Sequence, residues 1–376
     1  MSYQEALRTA IDETVAPDAA PVDQQGAFPR AAIDALTSAG LLAATVPAEF
    51  GGGGLGFSAA TDIIRQLSTA CGSTAMVVTM HYAATAALVA TGQQEILREI
   101  ADRRHLTTLA FSESGSRSHF WAPVSTASAK EDQVVLDARK SWVTSAHEAN
   151  SYVWSSTPLE APGPMTLWLV RAGTDGLSVP SRFDGLGLRG NDSCPISADG
   201  VTVPRTAMLG ADGSGLDIAL GAVLPWFLLL NASASVGLMQ AVTAETAKHL
   251  SATRLQHLDQ SLAQQLPART KLATMQIQTD RTRALVEDAV SAVESARADA
   301  QLLVLEVKAA ADESAALVAD FAMAAAGGAA FRKELGIERR FRDSRAARVM
   351  APTTDALLDF VGRALCGLPL LDGAAQ

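Results

Sequence analysis

A chain of 376 residues with 48% apolar and 19% charged side chains is too long for one small core and too apolar for disorder. Two or three packed subdomains are therefore expected. A formal net charge of −10 and a pI near 5.1 argue against nucleic acid as a partner, because phosphate binding needs a basic face. Cys71, Cys194 and Cys366 are odd in number and in no metal-ligand spacing, so no metal is expected. They read as reduced, buried thiols of a cytoplasmic protein. The N-terminus, Met1-Ser2-Tyr3-Gln4-Glu5, has no basic patch followed by an apolar run, so no signal peptide is read there. The most apolar stretch, Ile218 to Leu230, reads as too short to span a bilayer, which predicts no membrane partner.

Ser2 and Glu5 are spaced as a capping box before an apolar-periodic turn, which predicts an opening helix. Pro29 starts another, whose stripe runs through Ile33 and Leu36 to a stop at Gly40. Gly51-Gly52-Gly53-Gly54 is too permissive for regular structure. No Lys-Ser/Thr follows it and no strand precedes it, so a loop is preferred to a phosphate cradle. Helical spacing resumes over 58–67, 73–91 and 93–100.

From Leu106 to about Gly210 the period changes to two. Strands are expected over 133–138, 151–155, 165–170 and 200–203, separated by Gly and Pro clusters. After Gly215 long Ala/Leu/Val periodicity over 216–250, 264–296, 299–326 and 354–365 predicts amphipathic helices packed as an up-and-down bundle. The acidic positions Glu245, Glu287 and Glu294 read as solvated helix faces.

Several motifs are threaded through this order. They are Pro47-Ala48-Glu49-Phe50-Gly51-Gly52, Met80-His81, Phe111-Ser112-Glu113-Ser114-Gly115-Ser116 and Lys140-Ser141-Trp142-Val143-Thr144-Ser145. Gly187-Leu188-Arg189-Gly190, Arg254-Leu255-Gln256-His257, Gly327-Gly328 and the segment from Arg342-Asp343 to Thr353-Thr354 complete the set. Taken together, their order and spacing resemble the acyl-CoA dehydrogenase family over nearly the whole chain. The resemblance implies an α+β fold with an N-terminal helical domain (1–105), a central β-barrel or sheet domain (106–212) and a C-terminal four-helix bundle (213–376).

It also implies FAD rather than FMN as cofactor. In the family the loop matching Phe111 and Ser112 lays donors against the flavin pyrimidine, where reduction gathers negative charge. Trp142 would cover one face of the ring, and Thr144 would hydrogen-bond to N5. Arg254 matches an arginine that grips the FAD pyrophosphate across a subunit interface, a task suited to a guanidinium. His257 replaces a Phe on the adenine side. Gly327 and Gly328, read here as glycines in mid-helix, match the close approach to the same pyrophosphate, with a helix crossing as the alternative. Thr353 matches a threonine that contacts FAD. Ser118 keeps the hydroxyl that meets the pantetheine beside the flavin, and Arg117 and His119 add cations for a phosphate or a substrate carboxylate.

The chain departs from the family at the catalytic base. Abstraction of a proton next to a thioester needs a carboxylate whose pKa burial has raised. The usual Glu-Gly pair is Ala351-Pro352 here, and the alternative position, taken to lie on a helix after Arg254, is Leu255. His257, Asp259, Glu113 and Asp355 remain as candidates for a relocated base. Three functions stay open: dehydrogenation of a CoA- or carrier-bound acyl thioester, oxygenation of a small substrate by reduced flavin and O₂, and flavin binding without catalysis. The first implies an electron-transfer flavoprotein as partner and the second a flavin reductase. A homodimer or homotetramer is implied because family FAD sites are completed by a neighbour.

Overall fold

The computed structural model describes residues 2–371. The chain divides into two compact units, one of Met1–Gly56, Met76–Gly185 and Arg189–Phe227, the other of Phe57–Ala75, Leu186–Leu188 and Leu228–Gln376.

The first unit opens with helices α1 (Tyr3–Ala10), α2 (Ala16–Gln25) and α3 (Arg30–Ser38). The capping box forms as its spacing predicts: the Ser2 hydroxyl accepts from the Glu5 amide, and the Ser2 amide donates to the Glu5 carboxylate. Helix α4 (Phe57–Ala70) belongs to the second unit, whereas most of α5 (Gly72–Ala90) and all of α6 (Gln94–Ala101) belong to the first.

Eight strands follow, β1 (Thr107–Ala110), β2 (Thr126–Lys130), β3 (Gln133–Val143), β4 (Ser151–Ser156), β5 (Thr166–Arg171), β6 (Leu177–Ser178), β7 (Cys194–Pro204) and β8 (Met208–Leu209). They make two four-stranded sheets, ordered β1-β4-β5-β8 and β2-β3-β7-β6. Among these strand pairs of the described residues only β1–β4 is parallel. Both sheets contribute to one buried cluster that includes Leu136, Trp154, Trp168 and Ile196. Alternation along β3 turns Val134, Leu136 and Ala138 inward, and with them Lys140.

His81 on α5 is fully buried and joins two other parts of this unit. Its Nε2 faces the Leu42 carbonyl at 3.0 Å, and its Nδ1 lies 3.1 Å from the Thr107 amide and 3.3 Å from the Thr107 carbonyl. Burial disfavours the charged ring and pushes the imidazole down to about 4 against these backbone contacts. Burial lowers His105 in the same direction. Below pH 6.5 the unfolded chain takes up a proton that folded His81 refuses, so stability is complete above that pH and is lost as pH falls toward 4. The expected loss is about 3 kcal/mol, at ~1.4 kcal/mol per pH unit. Urea midpoints across this window measure it, and His81→Gln should flatten the slope; an unchanged slope would refute the assignment.

The chain then runs through the short α7 (Gly215–Ile218) into α8 (Leu224–Ala252), and a hairpin of β9 (Arg254–Leu255) and β10 (Gln260–Ser261) leads to α9 (Leu266–Glu294), α10 (Ala300–Ala326), α11 (Ile337–Val349) and α12 (Thr354–Leu365). From Leu228 onward these elements belong to the second unit, together with α4.

Some sequence expectations need correction here. The apolar run from Ile218 belongs to a helical stretch, Gly215–Ala252, that is long and apolar enough to cross a membrane by length and composition. Gly72–Ala90 and Ala300–Phe331 also qualify. The apolar windows of these stretches are 61%, 78% and 39% buried within the chain, so in the first two most of that surface lines the core. Cys71 and Cys194 are buried as expected, but Cys366 is exposed just past α12.

Candidate flavin and substrate site

The residues singled out in the sequence lie in both units. In the first unit, Trp142 has a left-handed backbone (φ 57°) at the second bulge between β3 and β7. A β-bulge re-aims a side chain, and here it leaves the indole 69% exposed rather than in the strand core. Thr144, two residues on, is buried, with its hydroxyl 3.0 Å from that of Ser193. Ser112 is half-buried, and its carbonyl accepts from the Ser141 amide at 2.9 Å, which ties the two flavin-type motifs together. Phe111 is buried and stacks on Phe120. Ser118 is half-buried between exposed Arg117 and His119, and the His119 ring lies 5.0 Å from Trp121.

Glu113 is not a free base. It is buried beside the Lys140 ammonium, and its oxygens also accept from the Val124 amide (2.7 Å) and from the Ser125 amide and hydroxyl (2.9 and 2.6 Å). Burial raises its carboxyl, but Lys140 and these donors hold it below the usual carboxylate range. Burial lowers Lys140 to about 8 against the pull of Glu113, and the Ser155 carbonyl and hydroxyl take its remaining protons. The pair anchors the Ser112 loop to β3.

A second constellation in this unit has the order of a hydrolytic triad. Ser151 Oγ lies 2.7 Å from His105 Nε2, and His105 Nδ1 lies 2.8 Å from Glu99. Ser151 is fully buried, so no substrate carbonyl reaches it. The bonds fasten β4 to α6.

In the second unit, Arg254 and Leu255 lie on the β9–β10 hairpin and not on a helix. Arg254 is paired with the carboxylate of Asp259 and donates to its carbonyl at 3.0 Å. Asp259 is therefore committed to a surface turn, and His257 is exposed on the same turn. Asp355 is exposed in the first turn of α12, and Thr353 caps that helix by accepting from the Ala356 amide. None of the four proposed bases is a buried carboxylate free to take a proton.

Gly327 and Gly328 are not in mid-helix. Gly327 ends α10 with φ 58°, and a methyl group at either position would meet no atom within 4 Å. Helix crossing is thus not the reason for glycine here. The positive φ explains Gly327, and the open space at both positions leaves room for a bulky anionic ligand such as a pyrophosphate. Gly187 has the opposite reason: any side chain there would overlap the Arg342 carbonyl. Asp343 accepts from the Leu188 amide at 2.6 Å, so the Gly187-Leu188 motif is locked to α11.

The segment that carries Ala351 is held from behind. Lys308 on α10 is fully buried and donates to the Ala347, Met350 and Pro352 carbonyls at 2.9, 3.4 and 3.2 Å. Its counter-ion is Asp312 at 2.7 Å, which also accepts from the Thr354 hydroxyl at 3.2 Å. Burial pushes Asp312 up and Lys308 down, each partly restrained by the other's charge.

Of the glutamates read as solvated faces, Glu287 and Glu294 are exposed as expected, and Glu245 is half-buried. Glu245 pairs with the largely buried Arg340, and Glu294 accepts from the Ser58 amide and hydroxyl. Glu287 and Glu294 line a cavity of about 570 Å³ between α4, α8 and α9. Sequence periodicity missed this because it assigns a helix face no partner. It missed Asn231 and Lys308 for the same reason, as single polar residues inside apolar helices.

Three descriptions of one family match the chain in order. The acyl-CoA dehydrogenase N-terminal domain covers residues 2–103, the middle domain 108–201 and the C-terminal domain 213–366. The chain belongs to the acyl-CoA dehydrogenase family. Among similar members is cyclohex-1-ene-1-carbonyl-CoA dehydrogenase of Syntrophus aciditrophicus (strain SB), 24% identical over 96% of this chain and 88% of that protein. Human mitochondrial short-chain specific acyl-CoA dehydrogenase is 27% identical over 94% of this chain and 87% of its own length. The fold is that of butyryl-CoA dehydrogenase from Megasphaera elsdenii, with a TM-score of 0.90 at 20% identity, covering 97% of this chain and 98% of the other. Acyl-CoA dehydrogenase architecture thus accounts for the N-terminal helices, the central sheets and the C-terminal helices.

Proposed function

We propose that this chain is an FAD-dependent oxidoreductase that removes the Cα and Cβ hydrogens of an acyl thioester carried on CoA or on a carrier protein. The observation that carries the reading is Trp142, an exposed indole aimed out of a strand bulge two residues before Thr144. Bound FAD supplies the acceptor for the β-hydrogen leaving as hydride. Trp142 covers one face of the ring, and Ser112 and Thr144 serve its edge, where donors stabilise the charge gained on reduction. Gly327, Gly328 and Arg254 serve the pyrophosphate, with His257 on the adenine side and Thr353 as a further contact. Ser118, Arg117 and His119 meet the polar arm of the thioester. Ala351 and Leu255 accept no proton, so the α-proton passes to a relocated base. The names of the relatives support a thioester substrate and, with it, an electron-transfer flavoprotein as oxidant. A cytoplasmic homodimer or homotetramer away from membranes completes the reading.

Anaerobic mixing of the FAD-loaded protein with CoA- and carrier-bound acyl thioesters tests it. Bleaching of the oxidised flavin band is the expected result, and no bleaching with any thioester would sink the proposal. Trp142→Ala is expected to weaken FAD binding by about 1–3 kcal/mol, the range for stacking a heterocycle on an aromatic side chain. Flavin-release titration measures this, and native affinity in the variant would remove Trp142 from the site.

Ala351 favours one second reading. Oxygenation by reduced flavin and O₂ needs no carboxylate at that position and draws electrons from a flavin reductase. Oxygenated product from chemically reduced protein and O₂, with no thioester oxidation, would select it.

A further inference from the structure

Three metal-ligating side chains meet in the first unit, where the turn after β3 lies against the start of β7. His147 Nδ1 is 2.8 Å from Asp192 Oδ1, and the Cys194 thiol is 3.3 Å from the same oxygen. The three ligand atoms all fall within 4.8 Å of one another, the one such group among the described residues. His147 stands 45 positions before Asp192, and Cys194 two after it. No spacing motif along the chain therefore announces them.

The backbone holds this group in place. Asp192 has a left-handed backbone (φ 53°), which an aspartate tolerates, and its carbonyl accepts from the Ala146 amide at 3.1 Å. The His147 amide donates to Asp192 Oδ2 at 2.7 Å, which leaves Oδ1 facing the imidazole and the thiol. Cys194 is paired with Val143 in the β3–β7 ladder and is fully buried, whereas the His147 side chain is 40% exposed. A cation thus enters past the histidine and meets the sulfur at the floor.

The donor set is that of zinc: an imidazole nitrogen, a carboxylate oxygen and a thiolate sulfur, each about 2.0–2.3 Å from the metal. Tetrahedral ligands at those lengths stand about 3.3–3.8 Å apart. The Cys194–Asp192 edge already fits. The His147–Asp192 edge has to open by about half an ångström to reach that range, a small swing for an exposed ring. Three protein ligands leave the fourth position to water. Magnesium and calcium do not suit the set, because hard cations take oxygen rather than sulfur. Burial and the Asp192 charge keep the free thiol protonated, with its pKa pushed up to about 12. The metal must therefore displace that proton. The S–H bond breaks, its electron pair forms the bond to the cation, and the proton leaves to water. Thiolate and carboxylate then balance the charge of a divalent ion.

We propose that His147, Asp192 and Cys194 form a zinc site that clamps the turn after β3 to the start of β7. The clamp lies beside the Thr144–Ser193 hydroxyl pair, so it steadies the turn that carries Thr144. The inference is independent of the thioester reading, because zinc binding is measured without turnover.

The test is equilibrium dialysis of the FAD-loaded full chain against Zn²⁺, in a Cys366→Ser background that removes the exposed thiol. One zinc per chain is expected. Its X-ray absorption should show one sulfur at about 2.3 Å with nitrogen and oxygen at about 2.0–2.2 Å. His147→Ala and Cys194→Ser should each weaken binding by at least about 10–100-fold, the range for losing even an outer-shell partner. Zinc should also raise the thermal midpoint of the background protein, as any ligand of the folded state does, and His147→Ala should abolish the rise. No zinc retained at about 1 mM, or a zinc shell without sulfur, overturns the proposal and leaves the cluster as a hydrogen-bonded turn. Zinc affinity or a thermal rise that survives His147→Ala also overturns it. If Cys194→Ser fails to fold, the sulfur signal and the exposed His147→Ala position decide.

Discussion

Ala351→Glu is expected to accelerate flavin reduction by an acyl thioester by about 10²–10⁴-fold, the usual contribution of a positioned general base. Three features of the segment support this. Position 351 is half-buried, so a carboxylate there is partly desolvated and its pKa rises toward neutrality. The carbonyls of Ala347, Met350 and Pro352 are bound by one buried ammonium, so the new side chain hangs from a fixed backbone. The family match extends through residue 366 and so includes this segment. Stopped-flow bleaching under anaerobic conditions measures the gain. Exchange of the α-hydrogen in deuterated buffer reports proton abstraction independently of hydride transfer. A variant that folds and holds FAD yet gains neither would show that residue 351 does not overlie the reacting carbon.

Lys308→Met is expected to destabilise the second unit by about 3–5 kcal/mol, the cost of leaving one member of a buried ion pair without its partner. Asp312 would remain fully buried with only the Thr354 hydroxyl beside it. Three carbonyls would also lose their donor. Removing both charges, as Lys308→Met with Asp312→Leu, should restore part of the loss, since an apolar pair of similar volume is often neutral or stabilising. Urea unfolding of the single and double variants forms the cycle. Equal stability of native protein and Lys308→Met would mean that water replaces the ammonium.

Much of the fold was legible because periodicity reports burial. The capping box, the β period from Leu106 and the long C-terminal helices follow from patterns that water imposes on a chain. The candidate site was legible only where a motif carries its own chemistry. Trp142 was legible through its motif, but the bulge that turns it outward was not, because it arises from the register against β7. Gly327 and Gly328 looked like mid-helix anomalies because a helix end marked by positive φ has no other local signal in an alanine run. Glu113 and Glu245 were read without partners because their cations arrive from elsewhere in the sequence. Lys140 is 27 positions from Glu113, and Arg340 is 95 from Glu245. Local patterns do not see such pairings.

The lysine behind the 347–352 segment separates two jobs that are often fused in one residue. The path of the backbone is set by bonds to main-chain oxygens, which every amino acid possesses. Residue 351 is thus a socket whose shape does not depend on what is plugged into it. A lineage could discard an acid there and later regain one, changing the reaction while the surrounding architecture stays folded.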